Sequence, residues 1–168
     1  LRLYNNFLDI VGPYAQIFET ADDYGMQTGP LISPAMYGNI LSPYQRMIIE
    51  IIHAKSDAKT FHHSCGSIIP LVPELISTGV DILNPIQPLA KNMEPENLKE
   101  KFGEQIVFHG GICVQELLPN GSPEEVREET LRRIEILGRG GGYILAPAHN
   151  IQSDVPPENV AAMFDAVT

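Results

Sequence analysis

The sequence predicts an α/β fold in which parallel strands alternate with helices, and two observations lead to this prediction. Short runs rich in β-branched and apolar residues alternate about five times with longer segments of helical pattern. Runs this short are typical of parallel strands that helices cover. The predicted strands span residues 15–19, 58–63, 80–84, 106–109 and 142–146.

Start signals mark the helices between these strands. Ser33 and Ser42 each precede a proline, which places an N-cap before the first helical position. Residues 33–54 therefore form either two helices that meet at Pro43 or one kinked helix. A third helix starts at Ser122 with acidic residues in its first turn and ends at Gly138, and its predicted buried positions are Val126, Thr130, Ile134 and Leu137. A last helix begins at 156–157, with Val160 and Phe164 on one face.

Repeated strand–helix units imply right-handed crossovers, so the candidate architectures are an open doubly wound sheet and a (β/α)8 TIM barrel. No glycine-rich phosphate-binding loop follows any predicted strand, because residues 138–142 precede one. A complete barrel takes about 250 residues. The 168 residues therefore predict a single domain over 1–168 that is part of a barrel, with about five βα units.

Composition excludes several classes of function. The net charge of −10 argues against nucleic acid and anionic membranes as partners, since both attract basic surfaces. No apolar run approaches the roughly 18 residues of a membrane span, and no signal peptide is visible. Two cysteines do not make a disulfide framework, so we expect a reducing, cytoplasmic location. Cys113 is interpreted as a small buried apolar residue.

Ligands of parallel α/β folds bind beyond the carboxyl ends of the strands. Polar side chains follow every predicted strand, and four of the five histidines fall there, whereas His53 lies on a helix and is expected at the surface. Packing alone does not account for this clustering. The candidate site residues at these strand ends are Glu19, Asp22, Asp23, His63, Cys65, Asn84, Gln87, His109 and His149.

The sharpest pattern is His63-Ser64-Cys65. Side chains at i and i+2 of an extended chain point the same way, so one imidazole and one sulfur face a common point. Zn²⁺ accepts both, and His149 from another strand end would complete three protein ligands with one open position. The alternative is a hydrogen-bonded histidine beside a buried cysteine.

The remaining polar candidates each have a second interpretation. Adjacent residues on a strand face opposite sides, so at most one of Asp22 and Asp23 points into the site. Glu19 or one of these aspartates is a further ligand or a partner of a ligand. Asn84 and Gln87 either orient a substrate or close a proline-rich loop.

In order and spacing, the motifs resemble the C-terminal part of the uroporphyrinogen decarboxylase superfamily, over nearly the whole chain. They include His63-Ser64-Cys65-Gly66, Gly79-Val80-Asp81, Gly110-Gly111-Ile112 and Ser122-Pro123-Glu124-Glu125-Val126, and segments 29–34, 141–145 and 156–160 add to them. The resemblance implies a (β/α)8 barrel. In the corrinoid-dependent methyltransferase branch, a His-x-Cys-Gly motif binds zinc, and His63, Cys65 and Gly66 match it. That branch's third ligand, usually Cys, falls at His149.

The resemblance leaves three hypotheses. The first is zinc-dependent methyl transfer from a methylated corrinoid, carried by a partner protein, to a small thiol. His63, Cys65 and His149 would bind the metal, His149, Asp22 and Glu19 would serve catalysis, and Asp23, Asn84, Gln87 and His109 would contact the substrate.

The second hypothesis is decarboxylation of the tetrapyrrole uroporphyrinogen. In that branch the position of His149 is a histidine of the substrate cleft, but the branch lacks the His-x-Cys motif. A polycarboxylate also favours Arg or Lys in the pocket, and none follows a predicted strand here. The third hypothesis is a non-catalytic barrel portion whose exposed sheet edges require a partner chain, such as a second copy in a homodimer.

Overall fold

A computed structural model describes residues 1–167. The strands are β1 (Ile17–Ala21), β2 (Gly25–Met26), β3 (Gly29–Pro30), β4 (Lys59–His63), β5 (Ile82–Ile86), β6 (Val107–Ile112) and β7 (Tyr143–Pro147). The helices are α1 (Arg2–Val11), α2 (Pro34–Met36), α3 (Ser42–Lys55), α4 (Val72–Thr78), α5 (Pro95–Phe102), α6 (Leu117–Asn120), α7 (Pro123–Gly138) and α8 (Pro157–Asp165). No helix among these residues has both the length and the apolar composition needed to cross a membrane.

Five parallel strands form the main sheet in the order β1-β4-β5-β6-β7, which is also their order along the chain. Sequential parallel strands joined by helices are the arrangement of a (β/α)8 barrel, so the prediction of a partial barrel is confirmed. Within residues 1–167, β1 and β7 each pair on one side only. The small antiparallel hairpin β2–β3 follows β1 and was not predicted.

The predicted strands are all present, with displaced ends. The first lies at Ile17–Ala21, two residues later than predicted. β6 continues through Gly110 and Gly111 to Ile112, beyond the predicted end at His109. Gly110 has a φ of +113°, and a Cβ there would lie 2.9 Å from the backbone nitrogen of Ile86. Only glycine permits this approach, which allows the ladder to continue.

The helical segment after the hairpin corrects one prediction. Ser33 caps α2 as expected, since its side chain accepts a hydrogen bond from the Met36 backbone. Ser42 is not a cap, because the chain stays helical through a π-helical turn at Tyr37–Leu41 and enters α3 without a break. A π turn accommodates the ring of Pro43 and its missing N–H. Ser42 is instead buried and donates to Glu74 at 2.6 Å.

The C-terminal helices follow the sequence signals closely. Ser122 and Glu125 form the capping box of α7, and Gly138 ends that helix. Val126, Thr130 and Leu137 are buried as predicted, whereas Ile134 is half-buried. In α8 the buried positions are Asn159 and Met163, whereas Phe164, four residues after Val160 on one face, is half-exposed.

The core lies between the sheet and the helices that cover its outer face. Its fully buried members include Tyr37, Ile49, Leu75, Leu83 and Phe108. Cys113 is buried, as expected, and both cysteines are free thiols. This packing fixes the strands, and the strands direct every second side chain to the opposite, inner face of the sheet.

Candidate metal and substrate site

The inner face of the sheet encloses a cavity of about 750 Å³ at the carboxyl ends of the strands. We call this cavity the lumen. It collects side chains from β1, β4, β5 and β6 and from the segment after β7. The polar and aromatic residues that line it include Glu19, Phe61, His63, Asn84, His109 and His149.

Three predicted metal ligands meet at the lumen. The Sγ of Cys65 lies 3.3 Å from the Nε2 of His63, and the ligand atoms of His63, Cys65 and His149 all lie within 4.8 Å of one another. Ligand atoms around a tetrahedral zinc ion are about 3.3–3.6 Å apart, given bonds of about 2.0–2.3 Å. The Cys65–His63 distance matches this spacing, and a donor set of two imidazoles and one sulfur is one that Zn²⁺ accepts.

The loop after β4 holds Cys65 in place. The backbone N–H of Cys65 donates to the Oδ1 of Asp23 at 2.8 Å. The backbone N–H of Gly66 donates to the side-chain oxygen of Gln87. Gly66 has a φ of +83°, and a Cβ there would lie 2.7 Å from the backbone of Gly25. The turn therefore requires glycine.

The surroundings of Cys65 favour a metal ligand over a free nucleophile. Burial and the neighbouring carboxylate of Asp23 raise the pKa of the Cys65 thiol to about 11. The thiol is therefore protonated at neutral pH when no cation is near. A bound divalent cation offsets this cost, because its charge stabilises the thiolate.

The two aspartates after β1 diverge, as alternation requires. The Oδ1 of Asp23 lies 3.7 Å from the Nε2 of His63, so Asp23 borders the candidate ligands His63, Cys65 and His149, which we call the triad. Asp22 accepts a hydrogen bond from the Tyr24 hydroxyl at 3.3 Å and lines a separate cavity of about 230 Å³, which also contacts His62. Asp22 therefore faces this second cavity and not the triad, and its predicted catalytic role stays a prediction.

Asn84 and Gln87 also differ in their surroundings. Asn84 is buried in the lumen wall, where its side chain contacts the Nδ1 atoms of His63 and His109 at 2.6 and 2.7 Å. Gln87 is buried outside the lumen lining and supports Gly66. Its predicted contact with substrate stays a prediction, and its observed contact is with the loop that carries Cys65.

Glu19 and His109 face each other in the lumen, and Phe61 lies beside them. Burial lowers the pKa of His109, and the nearby carboxylate of Glu19 opposes part of that shift. The ring of Phe61 packs edge-on against His109 with centroids 4.9 Å apart. Phe61 was not predicted, although it stands two residues before His63 and shares its face.

The chain is thus a partial barrel whose carboxyl end brings together polar groups, three of which could hold a metal ion, and this defines an enzyme-like fold. Comparison with known proteins then identifies the family. A family model described as uroporphyrinogen decarboxylase (URO-D) matches residues 8–168, so the chain belongs to that family.

The individual relatives that match are longer than this chain. It is 26% identical over 143 residues to the uroporphyrinogen decarboxylase of Pseudoalteromonas atlantica, covering 78% of this chain and 38% of that protein. It is 27% identical over 154 residues to the decarboxylase of Thermosynechococcus vestitus, covering 91% and 41%. The chain thus spans about two fifths of the length of these relatives.

The fold also resembles a solved structure described as a methyltransferase from Methanosarcina mazei. The TM-score is 0.73 at 20% sequence identity, and the alignment covers 96% of this chain and 46% of that one. At this identity the likeness concerns the fold.

Proposed function

We propose that this chain carries the metal-binding part of an enzyme that transfers a methyl group from a methylated corrinoid, held by a partner protein, to a small thiol. One observation carries the proposal: His63, Cys65 and His149 converge within 4.8 Å at the mouth of the lumen. The likeness in fold to a methyltransferase supports the same class of reaction.

In this proposal the three residues bind Zn²⁺ and leave its fourth position open to the substrate. When bound, the ion supplies the positive charge that keeps a thiol deprotonated, and the thiolate is the nucleophilic form. Asp23 orients the Cys65 loop through the Cys65 N–H. Glu19 lines the same lumen and provides a carboxylate that accepts the proton released by the thiol.

Decarboxylation of uroporphyrinogen is the second candidate, and the names of the curated relatives favour it. The lumen argues against it. Among the described residues that line the lumen there is no Lys or Arg, and Glu19 adds a negative charge. A polycarboxylate would be repelled there instead of paired. Turnover of uroporphyrinogen by the metal-free chain would favour this candidate over methyl transfer.

A non-catalytic module is the third candidate, because β1 and β7 each pair on one side only within residues 1–167. Such edges favour a partner, and a homodimer is the simplest one. A monomer in analytical ultracentrifugation would remove this argument.

The test of the first proposal is zinc content, measured by elemental analysis after reconstitution and dialysis. We expect one zinc per wild-type chain and loss of at least about 100-fold in zinc affinity in Cys65→Ser. Cys113→Ser is the matched control, because Cys113 is a free thiol outside the triad, and it should retain zinc. Folded wild-type chain without zinc, or equal loss in both variants, would contradict the proposal.

A further inference from the structure

Asn84 stands between two histidines and offers them opposite ends of its amide. Its Oδ1 lies 2.6 Å from the Nδ1 of His63, and its Nδ2 lies 2.7 Å from the Nδ1 of His109. The amide oxygen only accepts hydrogen bonds, and the amide nitrogen only donates them. The residue is only 7% exposed, so water does not compete freely for either contact.

These contacts dictate where each neutral imidazole carries its proton. His63 must carry hydrogen on Nδ1 to donate to the amide oxygen, which leaves a lone pair on Nε2, the atom 3.3 Å from the Cys65 sulfur. His109 must accept at Nδ1, so its hydrogen is on Nε2. One amide therefore requires opposite tautomers in two neighbouring rings.

We propose that Asn84 is a positioning residue that sets His63 as a metal ligand and His109 as a neutral N–H donor to the lumen. The substrate group that this donor recognises is a hydrogen-bond acceptor, such as a carbonyl, carboxylate or hydroxyl oxygen. Only the assignment of that group to a thiol substrate rests on the proposed function. The tautomers themselves do not depend on it.

This positioning role differs from direct contact between Asn84 and the substrate, which was one of the two roles that the sequence left open for Asn84. Both ends of the amide are engaged by imidazoles. In this proposal substrate recognition falls to His109, which lines the lumen beside Glu19 and Phe61.

Long-range ¹H–¹⁵N NMR of the metal-free wild-type chain tests the proposal directly, at roughly pH 9, where an ordinary imidazole is neutral. His63→Gln and His109→Gln spectra assign the two rings. We expect hydrogen on Nδ1 of His63 and on Nε2 of His109. The same tautomer in both rings, or the reverse pair, would overturn the proposal.

Two variants at position 84 separate tautomer control from mere packing. In Asn84→Asp the carboxylate only accepts, so His109 should switch its hydrogen to Nδ1 while His63 is unchanged, and zinc affinity should be retained. Asn84→Leu removes both contacts, and zinc affinity should fall about 10–100-fold. An unchanged His109 tautomer in Asn84→Asp would refute the proposal. A wild-type chain that binds no zinc would refute the proposed function, whereas the metal-free spectra would still decide the role of Asn84.

Discussion

The two faces of β4 and the loop that follows it carry similar residues in opposite surroundings. The inward row lies on the side of the lumen and is partly exposed, and the outward row lies on the opposite side and is at most 2% exposed. Each row contains one histidine. The inward row is Phe61, His63 and Cys65, and the outward row is Thr60, His62 and Ser64.

The adjacent histidines show what this difference means. The Nδ1 of His62 contacts the hydroxyl of Thr20 at 2.9 Å and the amide nitrogen of Gln45 at 3.0 Å, and its ring stacks on Tyr24. His63 instead presents Nε2 to the Cys65 sulfur at the lumen. Residue type therefore does not separate a structural histidine from a candidate ligand, whereas the face of the strand does.

The largest expected effect on stability is that of His62→Ala. The substitution removes a buried ring together with its contacts to the Thr20 hydroxyl and the Gln45 amide nitrogen, so we expect the free energy of unfolding to fall by about 3 kcal/mol. Urea denaturation of the metal-free chain measures it. His63→Ala is the matched control and should cost only about 1 kcal/mol there, because it leaves the Asn84 amide oxygen without its imidazole partner, while zinc binding is lost. Equal destabilisation by the two variants would remove the distinction between the rows.

A smaller effect is expected at the start of the outward row, where Asp81 binds Thr60. Its carboxylate accepts from the Thr60 N–H at 2.8 Å and the Thr60 hydroxyl at 3.0 Å, and it contacts His53 at 3.0 Å. Partial burial acts to raise the pKa of Asp81, but the hydrogen bonds from Thr60 and His53 and the charge of Lys59 outweigh it and lower the pKa below its usual value.

A lowered carboxylate pKa stabilises the folded chain above the ordinary value of about 4, and this stability is lost as the pH falls through the lowered pKa. Asp81→Asn should therefore cost about 1.5 kcal/mol at pH 7, a figure reduced because the side chain is 24% exposed. The difference from wild type should shrink near pH 3. Asp23→Asn, on the lumen side, is the control and should change stability by less than about 0.5 kcal/mol. If the stability difference between Asp81→Asn and wild type were the same at pH 7 and near pH 3, the lowered pKa of Asp81 would be contradicted.

Periodicity and topology were sufficient to predict much of the fold and the convergence of His63, Cys65 and His149. A spacing of two residues places His63 and Cys65 on one face, and parallel strands bring His149 to the same edge. The capping box at Ser122 is equally local and was found. The same alternation would have identified Phe61 as a lumen residue.

The remaining features depend on contacts between segments that are distant in the sequence. Gln87 looks like any strand-end amide until the Gly66 turn places a backbone N–H beside it. The buried place of Ser42 depends on its hydrogen bond to Glu74 of α4, a contact that no local signal shows. The bridging role of Asn84 needs the register of three strands, which fixes the distances to His63 and His109.

The smallest expected effect is at Ser64, the last member of the outward row. Its hydroxyl accepts the backbone N–H of Tyr24 at 3.0 Å, and Ser64 is fully buried. Ser64→Ala leaves that N–H without an acceptor, so the free energy of unfolding should fall by about 1 kcal/mol with zinc affinity retained. Cys65→Ala, one residue on, should abolish zinc binding and change the stability of the metal-free chain by less than about 0.5 kcal/mol. Urea denaturation of both variants measures the change in stability, and zinc titration measures the change in zinc affinity. If Ser64→Ala lowered zinc affinity as much as Cys65→Ala, the two faces would not be separable at the end of the strand.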